Sequence, residues 1–238
     1  MAESIRIQEI MADAVNYNKW LVSFFEDKFG KRILDAGCSI GNISKAVIAS
    51  VGNDLEIFHG IDSDKKAVEL LRKSVHNPDC RFSTVDINDD VFFRDNEGAF
   101  DTLCCFNVLE HIFDDEAALK RFNTVLEKKG SLFLILPAIK FLYGSLDRSD
   151  NHYRRYSKKE IKKKLLRSGF KVSEINYFNP VGAIGWFING RVLKKEIIPA
   201  EQAAFFDKMV PLLKLFQRIF PFPFGQSLRV CGIKEKSV

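Results

Sequence analysis

The sequence of 238 residues contains no C-x-x-C pair, and its five cysteines (Cys38, Cys80, Cys104, Cys105, Cys231) are odd in number and scattered. That spacing argues against a disulfide framework or a zinc cluster and suits a reduced, cytoplasmic setting. The four histidines (His59, His76, His111, His152) are too dispersed for metal-ligand spacing, so no metal is expected. No run approaches 18 consecutive apolar residues, which excludes a membrane-spanning helix. The first twenty residues lack the continuous apolar stretch of a signal peptide, so secretion is not expected. A strong charge of one sign is missing too: 36 Lys and Arg against 31 Asp and Glu leave +5, too little to mark a nucleic-acid binder.

What is present is a 46% hydrophobic chain of one-domain length, able to bury a core without covalent staples. Short apolar runs at Ile33–Ala36, Leu55–Ile61, Arg81–Val85, Phe100–Phe106 and Ser131–Leu136 alternate with helical patterns at Ile43–Val51, Asp64–Ser74 and Asp114–Leu126. Continuous rather than alternating hydrophobicity suits strands covered on both faces. Strand, helix, strand in repeated order means an α/β, doubly wound, mostly parallel sheet with right-handed crossovers.

Residues 4–28 read as an amphipathic leading helix with Ile7, Ile10, Met11, Trp20, Leu21 and Phe24 on its apolar face. Pro137–Ser157 carries turn residues without a clean period and reads as a long loop. Ser157 and Glu160 form a capping-box pattern for a helix ending near Gly169. Phe170–Phe178 and Ser227–Ile233 read as the last two strands. Between them, Ala200–Phe220 places Phe205, Met209, Leu212, Leu213, Phe216 and Phe220 on one stripe, with Pro211 expected to kink or divide the helix. No repeat or linker interrupts the chain, so 1–238 reads as one domain.

The most informative stretch is Ile33-Leu-Asp35-Ala-Gly37-Cys38-Ser39-Ile-Gly41-Asn42, a strand running into a glycine turn and a helix. Glycine allows the tight turn and close approach of a ligand. Asp62 closes the second strand, 21 residues after Gly41, and Asp86 closes the third. Three acids ending three successive strands line the carboxyl edge, where open α/β sheets bind ligands. The loop lacks G-x-G-x-x-G, which disfavours a nicotinamide-dependent oxidoreductase, and lacks the ATP-type phosphate loop. Asp35 two residues before Gly37 suits a cationic ligand better than a pyrophosphate.

This stretch resembles the first motif of class I S-adenosylmethionine-dependent methyltransferases, and Asp62, Asp86-Ile87 and Asn107-Val108-Leu109-Glu110-His111 are similar to that family's later motifs. The resemblance implies a Rossmann-like seven-stranded sheet with S-adenosylmethionine as cofactor. It implies a lid helix over 1–30, a cofactor-binding core over 31–136, and a substrate-side half over 137–238 with a helical cap near 179–226. Gly37, Cys38 and Gly41 would cradle the methionine part, with Ser39 standing where the family has a middle glycine. Asp35 would orient the ammonium, Asp62 and Ser63 the ribose, and Asp86 and Ile87 the adenine. Asn107 and Val108 would meet the amino-acid end, and Tyr17, Asn18 and Trp20 would form the lid, Trp20 being equally readable as core.

Beyond the fifth strand, Tyr143, Asp147 and His152-Tyr-Arg154-Arg155-Tyr156, with Pro223-Phe224-Gly225 further on, resemble a bacterial methyltransferase subgroup of type 11/12. These residues are the candidate substrate site. Paired arginines suit an anionic acceptor, the alternative being an ion pair with Asp147 or Asp150. His152 is the first candidate general base and His111 the second. Residues 137–170 hold ten Lys or Arg and three Asp or Glu, a net +7, which a solvated helix face would also explain. Nine of 22 phenylalanines fall from Phe170 onward, read either as a cap over the pocket or as a membrane-surface contact.

The expected function is methyl transfer to a small-molecule acceptor, anionic and sugar- or lipid-linked, without nucleic acid or an obligate protein partner. The alternative is a non-catalytic S-adenosylmethionine-binding module.

Overall fold

A computed structural model describes residues 12–219 and 222–235. Seven strands, β1 (Arg32–Ala36), β2 (Ile57–Asp62), β3 (Cys80–Thr84), β4 (Phe100–Phe106), β5 (Leu126–Pro137), β6 (Phe170–Phe178) and β7 (Ser227–Lys234), form one sheet in the order β3-β2-β1-β4-β5-β7-β6. The pairs β1–β2, β1–β4, β2–β3 and β4–β5 are parallel, and β7 runs antiparallel to both β5 and β6. The mostly parallel, doubly wound sheet is as the sequence pattern predicts.

Helices cover both faces. On one side α1 (Val15–Val22), α2 (Ser44–Val51) and α3 (Lys65–Ser74) bury Trp20, Val47 and Leu71 against Ile33, Phe58 and Phe133. On the other, α4 (Asp90–Asp95) and α5 (Asp115–Val125), with a later helix over 158–167, bury Phe93, Phe122 and Leu165 against Leu34, Leu103 and Leu132. Ile33 and Leu34, adjacent in sequence, thus serve opposite layers, which is why the strand cannot alternate with polar residues. Asp64 and Asp114 start α3 and α5 by accepting from backbone N–H groups two or three residues on.

Four elements differ from the sequence reading. Of the leading helix expected over 4–28, the described part is helical at Ala12, interrupted at Asp13 and Ala14, and helical again over Val15–Val22; Ile7, Ile10 and Met11 lie outside the described residues. The expected loop Pro137–Ser157 contains a 3-10 turn at Lys140–Leu142 and a short helix α6 (Ser145–Ser149). Neither element has enough length to show a period. The next helix, α7 (Lys158–Arg167), is capped by Ser157 Oγ accepting from Glu160 N (3.2 Å), but the Glu160 carboxylate pairs with Lys140 instead of closing the box.

After β6, α8 (Pro180–Trp186) continues as a wide π-type turn over Phe187–Val192. The last helix, α9 (Ala200–Ile219), runs unbroken through Pro211, and Phe220 lies outside the described residues. Of the stripe read from the sequence, Phe205, Leu212 and Phe216 are exposed, while Phe206 and Val210 face the core.

Candidate active site

The carboxyl ends of β1, β2 and β4 are neighbours in the sheet, so the segments following them converge. In the loop after β1, φ is +91° at Gly37, +46° at Ser39 and +87° at Gly41. Ser39 therefore takes the left-handed backbone that glycine adopts freely, at a cost of about 1 kcal/mol. The loop is tied down by Gly37 and Cys38 N–H groups donating to the Ile61 carbonyl (2.8 and 3.0 Å). A Cβ at Gly37 would stand 2.2 Å from a Val108 methyl, so the segment after β4 packs directly on the loop.

Asp62 accepts from Ser39 N–H (2.9 Å) on one oxygen and Asp64 N–H (2.8 Å) on the other. Burial raises its pKa against these backbone donors. Asp35 is buried and accepts from Ser44 Oγ (2.6 Å); burial raises its pKa to about 6. Among the described residues neither acid has a Lys or Arg partner, so the pocket edge carries negative charge suited to a cationic ligand. Asn107 is exposed with φ +54°, its N–H held by the Ile135 carbonyl (2.9 Å). Burial pushes the Cys38 thiol far above its ordinary range, leaving it inert.

Asp86 lies two residues beyond the end of β3, exposed, with its carboxylate turned back on Asn88. Ile87 is buried in the core and Ser63 is exposed beside Asp62. The Tyr17 hydroxyl meets Asn179, and burial raises its pKa to about 12. Trp20 is core, edge-on to Phe178 at 5.7 Å.

The H-Y-R-R-Y segment assembles around two acids. Asp147, fully buried, accepts from His152 Nδ1 (2.9 Å), Arg155 Nε (2.7 Å), Trp186 Nε1 (3.0 Å) and the Gly144 N–H (3.0 Å). Burial pushes this carboxyl up, but the donors, His152 first, outweigh it and hold it below its usual range. Arg155 also donates to the Ala138 carbonyl (2.9 Å) and lies over the Trp186 ring. Asp115 receives Arg154 (2.9 Å), Lys164 (2.6 Å) and the Tyr156 hydroxyl (2.9 Å). Both arginines are thus ion-paired inside the protein, with Asp115 for Arg154 in place of the expected Asp147 or Asp150. Tyr143 donates its hydroxyl to the His152 carbonyl (2.8 Å).

Glu110, His111 and His152 come together beside Asp147, with candidate ligand atoms all within 4.8 Å of one another. The fold assembles the set that could hold a metal ion from histidines 41 residues apart in sequence. His111 stands edge-on to His152 at 4.7 Å. Burial lowers the His152 pKa, but hydrogen bonds to Asp147 and Asp150 reverse this and raise it to about 9. His111 is lowered to about 4 by burial and by the His152 charge. Glu110 is 1% exposed with Oε2 lacking a hydrogen-bond partner, and burial raises it to about 7.

A family model described as a methyltransferase domain matches residues 6–175. The chain belongs to this family. It is a class I S-adenosylmethionine-dependent methyltransferase, which sets aside the nicotinamide reading. Curated relatives include a ubiquinone biosynthesis O-methyltransferase of Glaesserella parasuis, 24% identical over 193 residues, covering 71% of this chain and 80% of that one. A protein of the same description from Vibrio campbellii is 23% identical over 105 residues, and the match spans only 43% of its length. Among solved structures, the methyltransferase bound to the Trm112 activator of Haloferax volcanii has a TM-score of 0.65 at 13% identity, covering 98% of both chains. That likeness shows the fold.

The glycine loop, Asp35, Asp62 and the segment from Asn107 converge at the carboxyl edge of the sheet. Asp86, Asp147, Arg154, Arg155 and Tyr156 are engaged with protein partners. Sequence reasoning missed Glu110, Asp115, Trp186, Asn179 and Asp207 as organising residues. Only Glu110 carried a signal, as part of the N-V-L-E-H run; the others act through partners far away in sequence.

Proposed function

We propose that this methyltransferase moves a methyl group onto the hydroxyl oxygen of a small sugar- or lipid-linked acceptor, with His111 receiving the displaced proton. The single observation that carries this is the pair His111–His152. At neutral pH His152 is an imidazolium held by Asp147 and Asp150, whereas His111 beside it is a neutral imidazole with a lone pair to offer. This exchanges the ranking of the two histidines, because two carboxylates surround His152 and a cation faces His111.

S-adenosylmethionine supplies, when bound, a methyl group on a positively charged sulfur. The residues present fit it: Asp35 would hold its ammonium through or near the loop, Asp62 and Ser63 its ribose hydroxyls, and Asn107 with Val108 its amino-acid end. Asp86 and Ile87 would flank the adenine, and the backbone of Gly37, Cys38, Ser39 and Gly41 would form the cradle, with the two glycines adding no side chain to it. Asp35 and Asp62, free of cationic partners, stabilise positive charge there. His111 would take the proton that the acceptor hydroxyl gives up on methylation. Holding oxygen and methyl in line supplies most of the acceleration.

The oxygen acceptor is supported by relatives described as O-methyltransferases. An anionic acceptor held by Arg154 and Arg155 finds less support, since both guanidinium groups are committed to Asp115 and Asp147. No helix among the described residues is long and apolar enough to cross a membrane. Single-turnover transfer to a phenolic or sugar hydroxyl tests the assignment. His111→Ala is expected to lower the rate by about a hundredfold or more, with S-adenosylhomocysteine affinity retained. Transfer undiminished in His111→Ala but abolished in His152→Gln would return the base role to His152.

A further inference from the structure

A surface helix ordinarily turns its apolar stripe inward and its polar face to water. Residues 181–219 carry apolar stripes on their outward faces as well. Along α8 and the wide turn after it, Val181, Ile184, Ile188 and Val192 recur every three or four residues and so share one arc of the surface, and all four are exposed. The buried residues of the same stretch are small or polar: Pro180 and Ala183 on α8, then Gly190 and Asn189, which donates to the Gly185 carbonyl (2.9 Å). On α9, Phe205, Leu212, Leu215 and Ile219 share a similar arc and are exposed, Phe205 at 67%. The inward side of α9 carries Phe206, Val210 and Asp207, the last buried and bonded to α1.

Single exposed apolar side chains are ordinary, but here they are concentrated. Of the 18 large apolar side chains exposed among the described residues, eleven lie between Val181 and Phe224. Residues 181–219 also carry six Lys or Arg against Glu196, Glu201 and the buried Asp207. A two-fold pairing of such faces would set like charge against like. A sheet of anionic headgroups over an apolar interior satisfies both features at once.

The face stands beside the site. β6 runs parallel to β1, since each is related through the antiparallel β7, so Phe178 ends at the carboxyl edge of the sheet. There Asn179 meets Tyr17 and starts α8. We infer that the outward faces of 181–192 and 200–219 dock on a membrane surface containing anionic lipid, holding the pocket at the bilayer boundary. That a lipid-linked acceptor is taken from that boundary rests on the acceptor reading above; the docking itself does not.

The test is co-sedimentation of the full chain with phosphatidylcholine vesicles, with and without phosphatidylglycerol. The chain is expected to pellet with the anionic vesicles and to be released by salt. Phe205→Ser/Leu212→Ser and Lys194→Glu/Lys195→Glu should each lower partitioning by about tenfold or more, with thermal midpoint and S-adenosylhomocysteine affinity unchanged. Wild-type protein left in the supernatant at low salt would overturn the inference, as would undiminished pelleting of both double variants. So would a concentration-dependent dimer that Phe205→Ser/Leu212→Ser abolishes, because the face would then belong to a second copy. Pelleting without S-adenosylhomocysteine binding would sink the catalytic reading and leave the docking intact.

Discussion

The side-chain amide of Asn16 donates to the backbone carbonyl of Asp207 at 3.3 Å, an acceptor that Pro211 leaves without its helical N–H. The Asp207 carboxylate in turn accepts from the Asn16 and Tyr17 N–H groups (3.3 and 2.7 Å), capping α1, whose own preceding residue, Ala14, offers no side-chain acceptor. Proline in α9 is thereby accommodated without a break, and the leading helix is bound to the cap.

Replacing Asp207 by Ala is expected to cost about 1–2 kcal/mol, the loss of a helix cap. Urea unfolding measures it. If α1 closes over the cofactor, S-adenosylhomocysteine affinity should fall in the same variant, while Asp207→Asn keeps part of both.

Ser39→Gly should raise stability by about 0.5–1 kcal/mol, the left-handed strain relieved less the added freedom of the unfolded chain. Gly37→Ala should act in the opposite direction, since it meets both φ +91° and the Val108 methyl. Thermal unfolding of the two variants separates them, and a Ser39→Gly protein less stable than wild type would contradict the strain.

Asp147→Ala leaves Arg155 and His152 charged and buried without their shared acceptor. The expected loss is about 3–5 kcal/mol. A variant with wild-type stability and only a raised KM would instead give Asp147 a role in substrate contact.

His152 has a folded pKa of about 9 against 6.5 for the free side chain. The folded state holds its proton more tightly, so the stabilisation is complete below pH 6.5 and disappears as pH rises through 9. It amounts to about 3 kcal/mol from 1.36 kcal/mol per pH unit. The unfolding free energy of the wild type should therefore fall between pH 7 and 10, and His152→Gln should flatten that fall. An identical slope in both proteins would rule the linkage out.

The central strands were legible because a strand buried on both faces is rich in apolar residues, as at Leu103–Phe106 and Leu132–Leu136. The limits of Phe100–Phe106 and of the mixed-sequence edge strand Phe170–Phe178 match the structure residue for residue. The glycine loop was legible because its left-handed positions, Gly37, Ser39 and Gly41, fall within one strand–helix turn. The α6 helix was not, being a single turn held by the Gly144 N–H and Asp147 rather than by periodicity. Nor was the partner of Arg154, because Asp115 lies 39 residues earlier on another helix.

By itself, then, the sequence determined the doubly wound sheet, the methyltransferase loop and the acids at the ends of its strands, since hydrophobic period and backbone geometry are local properties. Tertiary structure alone decided which histidine is charged, which arginines are already paired, and that the stripe on α9 faces outward. Each of these depends on what distant elements bring alongside: two carboxylates around His152, Asp147 and Asp115 beneath the arginines, and α1 claiming the polar side of α9 through Asp207.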